Sequence, residues 1–200
     1  MKLYYSPAAC SLATHITLHE TGNTFDIIKV TNGVAEDGSD FKKINPHGYV
    51  PVLQLDNGEV LTEGVVIMQY LADQSPAVDI APANGTFERT RLQERLNYLT
   101  TEVHKAFIPL FSDASDDDEK QKAKLNISNK FNYLDKLLAE REYLLGKKIS
   151  IADFYLVVIA NWTNFTGMSL NDWPNIARLT KQVVNRKSAQ LAMKAEGLII

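Results

Sequence analysis

The hydrophobic pattern of the chain changes its period once, across residues 74–86, and this change limits the folds that the chain can adopt. Before this segment, short apolar runs alternate with turn residues, whereas after it apolar residues recur every three or four positions. The segment itself, QSPAVDIAPANGT, contains two prolines and a glycine and is typical of a linker. The sequence therefore predicts an α/β domain over residues 1–75, a linker over 76–86 and an all-α domain over 87–200.

The first domain is predicted to have the element order βαβ-ββα, which is that of a small α/β layer unit. Helical spacing begins at Ser11 and ends at Gly22, and a second helix begins after Thr62. Between two strand-like runs, the tripeptide Asp56–Gly58 (DNG) is a strong hairpin signal. The predicted strands are residues 2–5, 25–30, 52–55 and 59–61.

The second half of the chain predicts an assembly of helices. Its clearest start signal combines Ser150 and Asp153, an acidic variant of the capping box, with a hydrophobic staple between Ile149 and Phe154. We expect this signal to serve the structure rather than the chemistry. The predicted helices are Phe87–Phe111, Glu119–Glu140, Ser150–Phe165, Pro174–Arg186 and Ala189–Glu196.

Charge and hydropathy argue against two classes of partner. The formal net charge is −3 and no long basic run is present, which argues against a surface for nucleic acid or anionic membranes. No segment approaches the roughly 18 consecutive apolar residues of a membrane span, and the start MKLYYSPAAC lacks the apolar run of a signal peptide. We therefore expect a cytoplasmic protein with neither a nucleic-acid nor a membrane partner.

The residue types that bind metals do not cluster in the sequence. The four histidines lack metal-ligand spacing, and we expect His15 and His19, four residues apart, at the surface or edge of a helix with no metal bound. Cys10 is the single cysteine, so the chain cannot form an internal disulfide, which fits a reducing compartment. Any redox chemistry must therefore use one thiol.

Five segments, spread in order along the chain, together resemble one family. They are MKLYYSPAACSLATHI, NPHGYVPVL, LTEGVVIMQYLAD, LNYLTTEVHKAFIPLF and ISIADFYL. With these segments the sequence is similar to the glutathione S-transferases, most closely those of the bacterial beta class. The resemblance implies a thioredoxin-like domain followed by an all-helical domain, glutathione as co-substrate, no metal, and assembly into a homodimer.

Cys10 lies where the first predicted helix begins. Free N–H groups and the positive end of the helix dipole are found there, so a thiolate would be stabilised and its pKa should fall below about 8.5. The alternative is a small buried cysteine that fills space. The resemblance implies a catalytic role for Cys10, and for Ser11 either a helix-start hydroxyl or a donor to the substrate sulfur. Tyr5, which ends a strand, is expected to be packed rather than catalytic.

Val50-Pro51 precedes the third predicted strand. X-Pro bonds have only a small preference for the trans form, so a cis bond is accessible. A cis turn would offer the backbone of Val50 to an extended peptide, in the manner of an added strand, and the resemblance implies the cysteinyl unit of glutathione as that peptide. An ordinary proline at a strand start is the alternative.

Glu63 and Gly64 follow Thr62 at the start of the second predicted helix. The free N–H groups of a helix N-terminus bind a carboxylate, Gly64 would let a ligand approach, and Glu63 offers a counter-charge to an ammonium group. These properties suit the zwitterionic γ-glutamyl end of glutathione. Compensation of the helix dipole is the alternative role for Glu63.

Asn97, Thr101 and His104 share one face of the first long helix, because they are spaced four and then three residues apart. The resemblance places these residues near glutathione, together with Glu102 and Val103, some of them across the dimer. His104 would donate a hydrogen bond to the sulfur or take part in proton transfer. A histidine at the edge of a helix is the alternative.

The sequence departs from the family pattern in one loop. Beta-class relatives often carry a lysine in the loop that corresponds to residues 31–40 here, and a polar residue before Val-Pro. Here the loop TNGVAEDGSD has no lysine, and Tyr49 precedes Val50. Lys42, Lys43 or His47 could hold the glycyl carboxylate of glutathione instead, and the sequence does not select one of them.

The predicted function is conjugation of the glutathione thiolate to hydrophobic electrophiles, a detoxification reaction. One alternative is a monothiol enzyme that reduces or deglutathionylates mixed disulfides through Cys10, and another is an interaction module without activity. Neither the electrophile nor the dominant chemistry can be read from the sequence. The residues expected to wall the electrophile pocket are Phe107, Phe111, Trp162 and Phe165.

Overall fold

The structure is a computed structural model that describes residues 1–199, and it divides into two compact units. The first comprises Met1–Ala81 and the described residues from Val184 onwards; the second comprises Pro82–Val183. The sequence-based division assigned all residues after 86 to the helical domain. It differs from the structure at the end of the chain, because the last helix packs against the first helix of the α/β unit.

The first unit contains a mixed five-stranded sheet. Its strands are β1 (Lys2–Tyr5), β2 (Asp26–Thr31), β3 (Val34–Ala35), β4 (Val52–Gln54) and β5 (Val60–Leu61), in the order β3-β2-β1-β4-β5. Only β1 and β2 pair in parallel, and the other three pairs are antiparallel. Residues 31–40 were expected to be a loop, but Val34 and Ala35 pair back onto β2. The hairpin between β4 and β5 is confirmed.

The helices of the first unit are α1 (Ser11–Glu20), α2 (Phe41–Ile44), α3 (Gly64–Gln74) and the C-terminal α10 (Lys187–Ala195), with a short 3-10 turn at Pro76–Val78. The side chains of β1 alternate across the sheet, as the two-residue period requires. Leu3 and Tyr5 pack in one buried cluster with Leu18 of α1, while Tyr4 packs on the opposite cluster with Phe41. Tyr5 is therefore a packed residue, and burial raises its pKa.

His15 does not lie at a helix edge, where we expected it. Because α1 packs against β1, α3 and α10, all its residues from Ser11 to Leu18 are buried. The Nδ1 atom of His15 is 2.9 Å from Glu196 Oε1, and the other carboxylate oxygen accepts a 3.1 Å hydrogen bond from the backbone N–H of Ala8. Glu196 thus ties the end of the chain to α1 and to the loop before Cys10.

The second unit is all-α. It contains α4 (Phe87–Tyr98), α5 (Ile108–Phe111), α6 (Asp117–Ala139), α7 (Ile151–Ala160), α8 (Thr163–Thr166) and most of α9 (Pro174–Val184), with a 3-10 turn at Leu170–Asp172. The single helix predicted over Phe87–Phe111 is interrupted, because Leu99–His104 forms a π-helical turn after α4. Together, the two units confirm the predicted fold class, a thioredoxin-like α/β unit and an all-helical unit.

The capping box of α7 forms as the sequence predicts. The carboxylate of Asp153 accepts hydrogen bonds from the backbone N–H of Ser150 at 2.7 Å and from its hydroxyl at 2.8 Å. It also accepts a 2.8 Å bond from the backbone N–H of Leu144. All ten residues of α7 are buried, so this start signal sets the position of the central helix of its unit.

Residues 1–199 contain neither a membrane-spanning helix nor a cluster of metal-binding side chains. No helix in this range has the length and apolar character needed to cross a bilayer. Within the same range, no group of three or more His, Cys, Asp or Glu side chains is arranged to hold a metal ion.

Candidate functional site

Cys10 directly precedes α1, but its thiol does not have the low pKa that we expected. Burial raises the pKa of Cys10 to about 11; the backbone N–H groups of Cys10 and Ser11 lower it less, and the charge of Glu63 raises it further. The thiol donates to the carbonyl oxygen of Val50 at 3.5 Å. The prediction of a stabilised thiolate is therefore wrong, since desolvation of the thiol outweighs the effect of the helix terminus.

Ser11 is fully buried, and its hydroxyl is engaged with the loop before the helix. The oxygen accepts a 3.2 Å hydrogen bond from the backbone N–H of Ser6 and donates a 3.2 Å bond to the carbonyl of the same residue. The Ser6 hydroxyl in turn donates to Val30 O at 2.7 Å, which ties the loop to β2. These contacts fit a hydroxyl that stabilises the start of the helix, which is one of the two roles expected for Ser11.

The peptide bond between Val50 and Pro51 is cis. Pro51 is buried and lies against Gly64 at the start of α3. A Cβ atom placed on Gly64 would be 3.1 Å from Pro51 Cγ and 3.6 Å from Thr14 Oγ1. The sequence-based explanation for Gly64 is the approach of a ligand, but the ring of Pro51 by itself already disfavours a side chain there.

Glu63 adopts an unusual backbone conformation at the N-terminus of α3, with φ +64° and ψ +100°. A positive φ is uncommon for any residue except glycine and marks candidate functional sites. This helix was expected to begin directly after Thr62, but it begins one residue later, with Glu63 as the N-cap residue and no side chain that caps the N-terminus. The Glu63 side chain is exposed and makes no hydrogen bond or ion pair with residues 1–199.

The first unit also contains the three candidates for the glycyl carboxylate of glutathione. Lys42, Lys43 and His47 are all exposed, on or just after α2. Lys43 Nζ lies 3.8 Å from the Asp40 carboxylate, so part of its charge is compensated within the protein. The geometry of this region therefore does not single out one cation.

The remaining candidates belong to the second unit, and the π-helical turn changes their relation to one another. The hydroxyl of Thr101 donates to Asn97 O at 2.9 Å, as the four-residue spacing expects. The three-residue step from Thr101 to His104 lies inside the π-helical turn, so the α-helical spacing used in the prediction does not apply there. The side chain of Val103 is fully buried, and Glu102 pairs with Lys130 at 2.7 Å.

His104 ends the π-helical turn and is held by two aromatic residues. Its Nδ1 atom lies 2.7 Å from the hydroxyl oxygen of Tyr155 in α7. The edge-on contact with Trp162 has a distance of 4.8 Å between ring centroids. Burial, and then the positive charge of Lys105, lower the pKa of His104, so that the imidazole is neutral near pH 7. The sequence pattern singles out His104 but not Tyr155, because no local motif connects the two residues.

The four expected pocket residues have different environments. Phe107 is fully buried, with ring centroids 5.5 Å from Trp162 and 6.0 Å from Phe131, so it belongs to the core of the unit and does not line a pocket. Phe111 and Phe165 are 53% and 65% exposed. Trp162 is nearly buried and contacts both Phe107 and Phe111 edge-on.

Comparison with known proteins connects both units to one family. Residues 8–74 match the family described as "Glutathione S-transferase, N-terminal domain", and residues 98–187 match "Glutathione S-transferase, C-terminal domain". Glutathione S-transferase GstA of Escherichia coli O157:H7 is 38% identical over 200 residues, which cover 99% of this chain and 100% of the relative.

Three solved structures are similar over nearly the full chain. A beta-class glutathione S-transferase of Sphingomonas chungbukensis is 45% identical, with a TM-score of 0.97 and full coverage of both chains. A sphingomonad glutathione S-transferase complexed with glutathione is 44% identical, with a TM-score of 0.96 and full coverage of both chains. A ternary complex of BphK, a bacterial transferase, has the same identity and TM-score and covers 98% of this chain and 100% of its own.

Proposed function

Because the chain belongs to the glutathione S-transferase family, we propose that it transfers the thiolate of glutathione to an electrophilic carbon of a hydrophobic compound. The first unit would bind glutathione. One similar structure supports this ligand, since the sphingomonad glutathione S-transferase was solved as a complex with glutathione. The chemistry requires that the enzyme lower the pKa of the bound thiol and hold the two reactants together.

The observation that carries the proposal is the N-terminus of α3. Here an exposed carboxylate without a partner among the described residues stands at a residue with positive φ, directly beside a helix N-terminus that no side chain caps. The helix N–H groups suit the γ-glutamyl carboxylate, and Glu63 suits the ammonium group next to it. An anion site and a carboxylate on neighbouring residues match a zwitterion better than either a simple anion or a simple cation.

The backbone of Val50 would hold the cysteinyl unit of glutathione as an added strand. This assignment would put the glutathione sulfur on the Cys10 side of the site, because the Cys10 thiol already contacts Val50 O. In the proposed reaction the thiol of glutathione loses its proton to solvent. Its sulfur then forms a bond to the electrophilic carbon, and the leaving group departs with the electron pair.

The raised pKa of Cys10 favours conjugation over the monothiol redox alternative. The nucleophile in disulfide exchange is the thiolate, and a thiol with a pKa of about 11 is protonated at neutral pH. A protonated Cys10 is instead a hydrogen-bond donor, which would stabilise the thiolate of bound glutathione. We therefore assign Cys10 to the support of glutathione, not to covalent chemistry of its own.

His104, with Asn97 and Thr101, would serve the glutathione molecule, while Phe111, Phe165 and Trp162 would contact the apolar part of the electrophile. Detoxification of such electrophiles as a homodimer is the corresponding cellular role. A cytoplasmic location fits the single free cysteine, because a reducing compartment preserves it.

Two activities measured on the same protein test the proposal. Wild-type protein should conjugate glutathione to a chromogenic aryl halide, and Cys10→Ala should keep part of that activity, because the nucleophile is the sulfur of glutathione. Any reduction of a mixed disulfide by the wild type should be lost entirely in Cys10→Ala, since the chain has one cysteine. A wild-type protein that binds glutathione and reduces mixed disulfides, but conjugates no aryl halide, would contradict the proposal and favour the redox enzyme.

A further inference from the structure

The imidazole of His104 is fixed in place by a residue that lies 51 positions later in the chain. Tyr155, in the buried helix α7, is 4% exposed, and its hydroxyl oxygen is 2.7 Å from His104 Nδ1. The ring of Trp162 contacts the imidazole edge-on at 4.8 Å. His104 therefore has one ring nitrogen in a hydrogen bond and a tryptophan ring packed against it.

The position of Tyr155 is itself set by the start of α7. Asp153 lies two residues before it and fixes the first turn through hydrogen bonds to Ser150 and to the backbone of Leu144. A helix that starts at a defined residue and is buried along its whole length presents its side chains at defined positions. The hydroxyl of Tyr155 consequently reaches the Nδ1 atom of His104, at the end of the π-helical turn.

A hydrogen bond between His104 Nδ1 and the Tyr155 hydroxyl can run in either direction, according to the tautomer of the ring. A phenol O–H is more acidic than an imidazole N–H, and an imidazole nitrogen is a better acceptor than a phenol oxygen, which favours Tyr155 as the donor. Burial and the neighbouring Lys105 lower the pKa of His104, which keeps the ring neutral. A neutral imidazole that accepts a hydrogen bond at Nδ1 carries its own proton on Nε2.

We propose that Tyr155 is a positioning residue that holds His104 as the neutral tautomer protonated on Nε2, so that His104 acts as a hydrogen-bond donor and not as a base. This inference rests on the proposed function, in which His104 serves the sulfur of glutathione. It decides between the two roles that the sequence left open for His104. The proton of the glutathione thiol then goes to solvent, while His104 keeps its proton and stabilises the thiolate.

The tautomer can be measured directly, without any substrate. Long-range ¹H–¹⁵N correlation spectra of protein labelled with [¹⁵N]histidine distinguish a protonated from an unprotonated ring nitrogen. The chain has only four histidines, and the spectrum of His104→Gln identifies the signals of His104. Near pH 7.5, wild-type His104 should show an unprotonated Nδ1 and a protonated Nε2.

Tyr155→Phe removes the hydroxyl and keeps the ring that packs against its neighbours. In this variant the His104 signals should shift towards a mixture of the two tautomers. The kcat for aryl-halide conjugation should fall about 2- to 10-fold, the range expected for one net hydrogen bond, while the KM for glutathione stays nearly unchanged. Tyr133→Phe is the matched control, because it removes another hydroxyl of the same unit that accepts a 2.9 Å bond from Arg95.

The outcomes separate this proposal from the proposed function. Wild-type His104 protonated on Nδ1 would overturn it, as would a Tyr155→Phe variant whose His104 signals and kcat match those of the wild type. The expected tautomer in the wild type, its loss in Tyr155→Phe and its retention in Tyr133→Phe would support it. A failure of the proposed function would appear separately, as the absence of glutathione binding by the wild-type protein in calorimetry.

Discussion

Two opposing effects act on the sulfur of Cys10. The backbone N–H groups at the start of α1 favour the thiolate, whereas removal of the sulfur from water disfavours it, and the second effect is larger. The nearby negative charge of Glu63 acts in the same direction as burial. At Cys10 the helix N-terminus is therefore not enough to lower the pKa of the thiol.

The reactivity of Cys10 towards an alkylating agent tests this balance. In the absence of glutathione, Cys10 should react with iodoacetamide at pH 7 more slowly than free cysteine, whose thiol has a pKa near 8.5. The rate should rise with pH towards a midpoint near 11, since burial raises the pKa of Cys10 to about 11. Free cysteine under the same conditions is the control, and faster alkylation of the protein at pH 7 would show that the helix terminus dominates.

At the scale of elements, the two capping boxes of the second unit differ in burial. The box of α6 uses Asp116 and Glu119 at an exposed site. The box of α7 uses Ser150 and Asp153, which are buried, and Asp153 also accepts a bond from the backbone of Leu144. The same motif should therefore contribute very different free energies of unfolding at the two sites.

Asp153→Ala should lower the free energy of unfolding much more than Asp116→Ala. The exposed cap should cost about 0.5–2 kcal/mol. Asp153→Ala leaves the backbone N–H groups of Ser150 and Leu144 buried without an acceptor, at about 1–3 kcal/mol each. Urea unfolding of both variants measures the difference, and equal losses would contradict the role of Asp153 as an anchor of α7.

The same carboxyl gives stability a defined pH dependence. Burial raises the pKa of Asp153 to about 6, above its ordinary value of 3.8. Between these values the folded state binds a proton that the unfolded state does not, so this contribution is complete below about pH 3.8 and is lost as the pH rises through 6. Asp153→Asn has no such titration. The free energy of unfolding of the wild type, measured in urea relative to that of Asp153→Asn, should therefore fall as the pH rises from about 3.8 through 6.

Local patterns predicted those elements whose signals lie within a few residues. The strand period around Leu3 and Leu53, the tripeptide Asp56–Gly58 and the capping box at Ser150 all act over short distances, and each gave the right element. His15 is different, because its spacing from His19 does not say which helix face is covered. Its partner, Glu196, lies 181 residues away. No residue type marks the π-helical turn, and the pKa of Cys10 depends on burial that only the folded chain provides.

At the scale of the whole molecule, the chain passes from the first unit into the second, and the described residues from Val184 onwards belong to the first unit again. The last helix, α10, packs on α1, and the Glu196 that follows it reaches both His15 and the backbone of Ala8. Ala8 lies two residues before Cys10 and itself has a positive φ of 60°. The C-terminal residues therefore hold the loop that leads into the candidate site.

The proposed homodimer gives a simple expectation for the intact protein. Light scattering at micromolar concentration should return a mass of about twice 22.4 kDa. Closed twofold assembly is the commonest arrangement of soluble homo-oligomers. A mass of one chain at this concentration would contradict the dimer and would remove any role of Asn97 across an interface.

The central claim is that the N-terminus of α3 recognises the γ-glutamyl end of glutathione, and calorimetric titration with glutathione tests it most directly. Glu63→Gln keeps the size of the side chain and removes the charge that would meet the ammonium group. It should weaken binding about 10- to 150-fold, the range for a hydrogen bond to a charged group. Glu59→Gln, which removes an exposed carboxylate of the same unit, is the control and should bind like the wild type. Equal affinity of Glu63→Gln and the wild type, or no binding by the wild type, would contradict the claim.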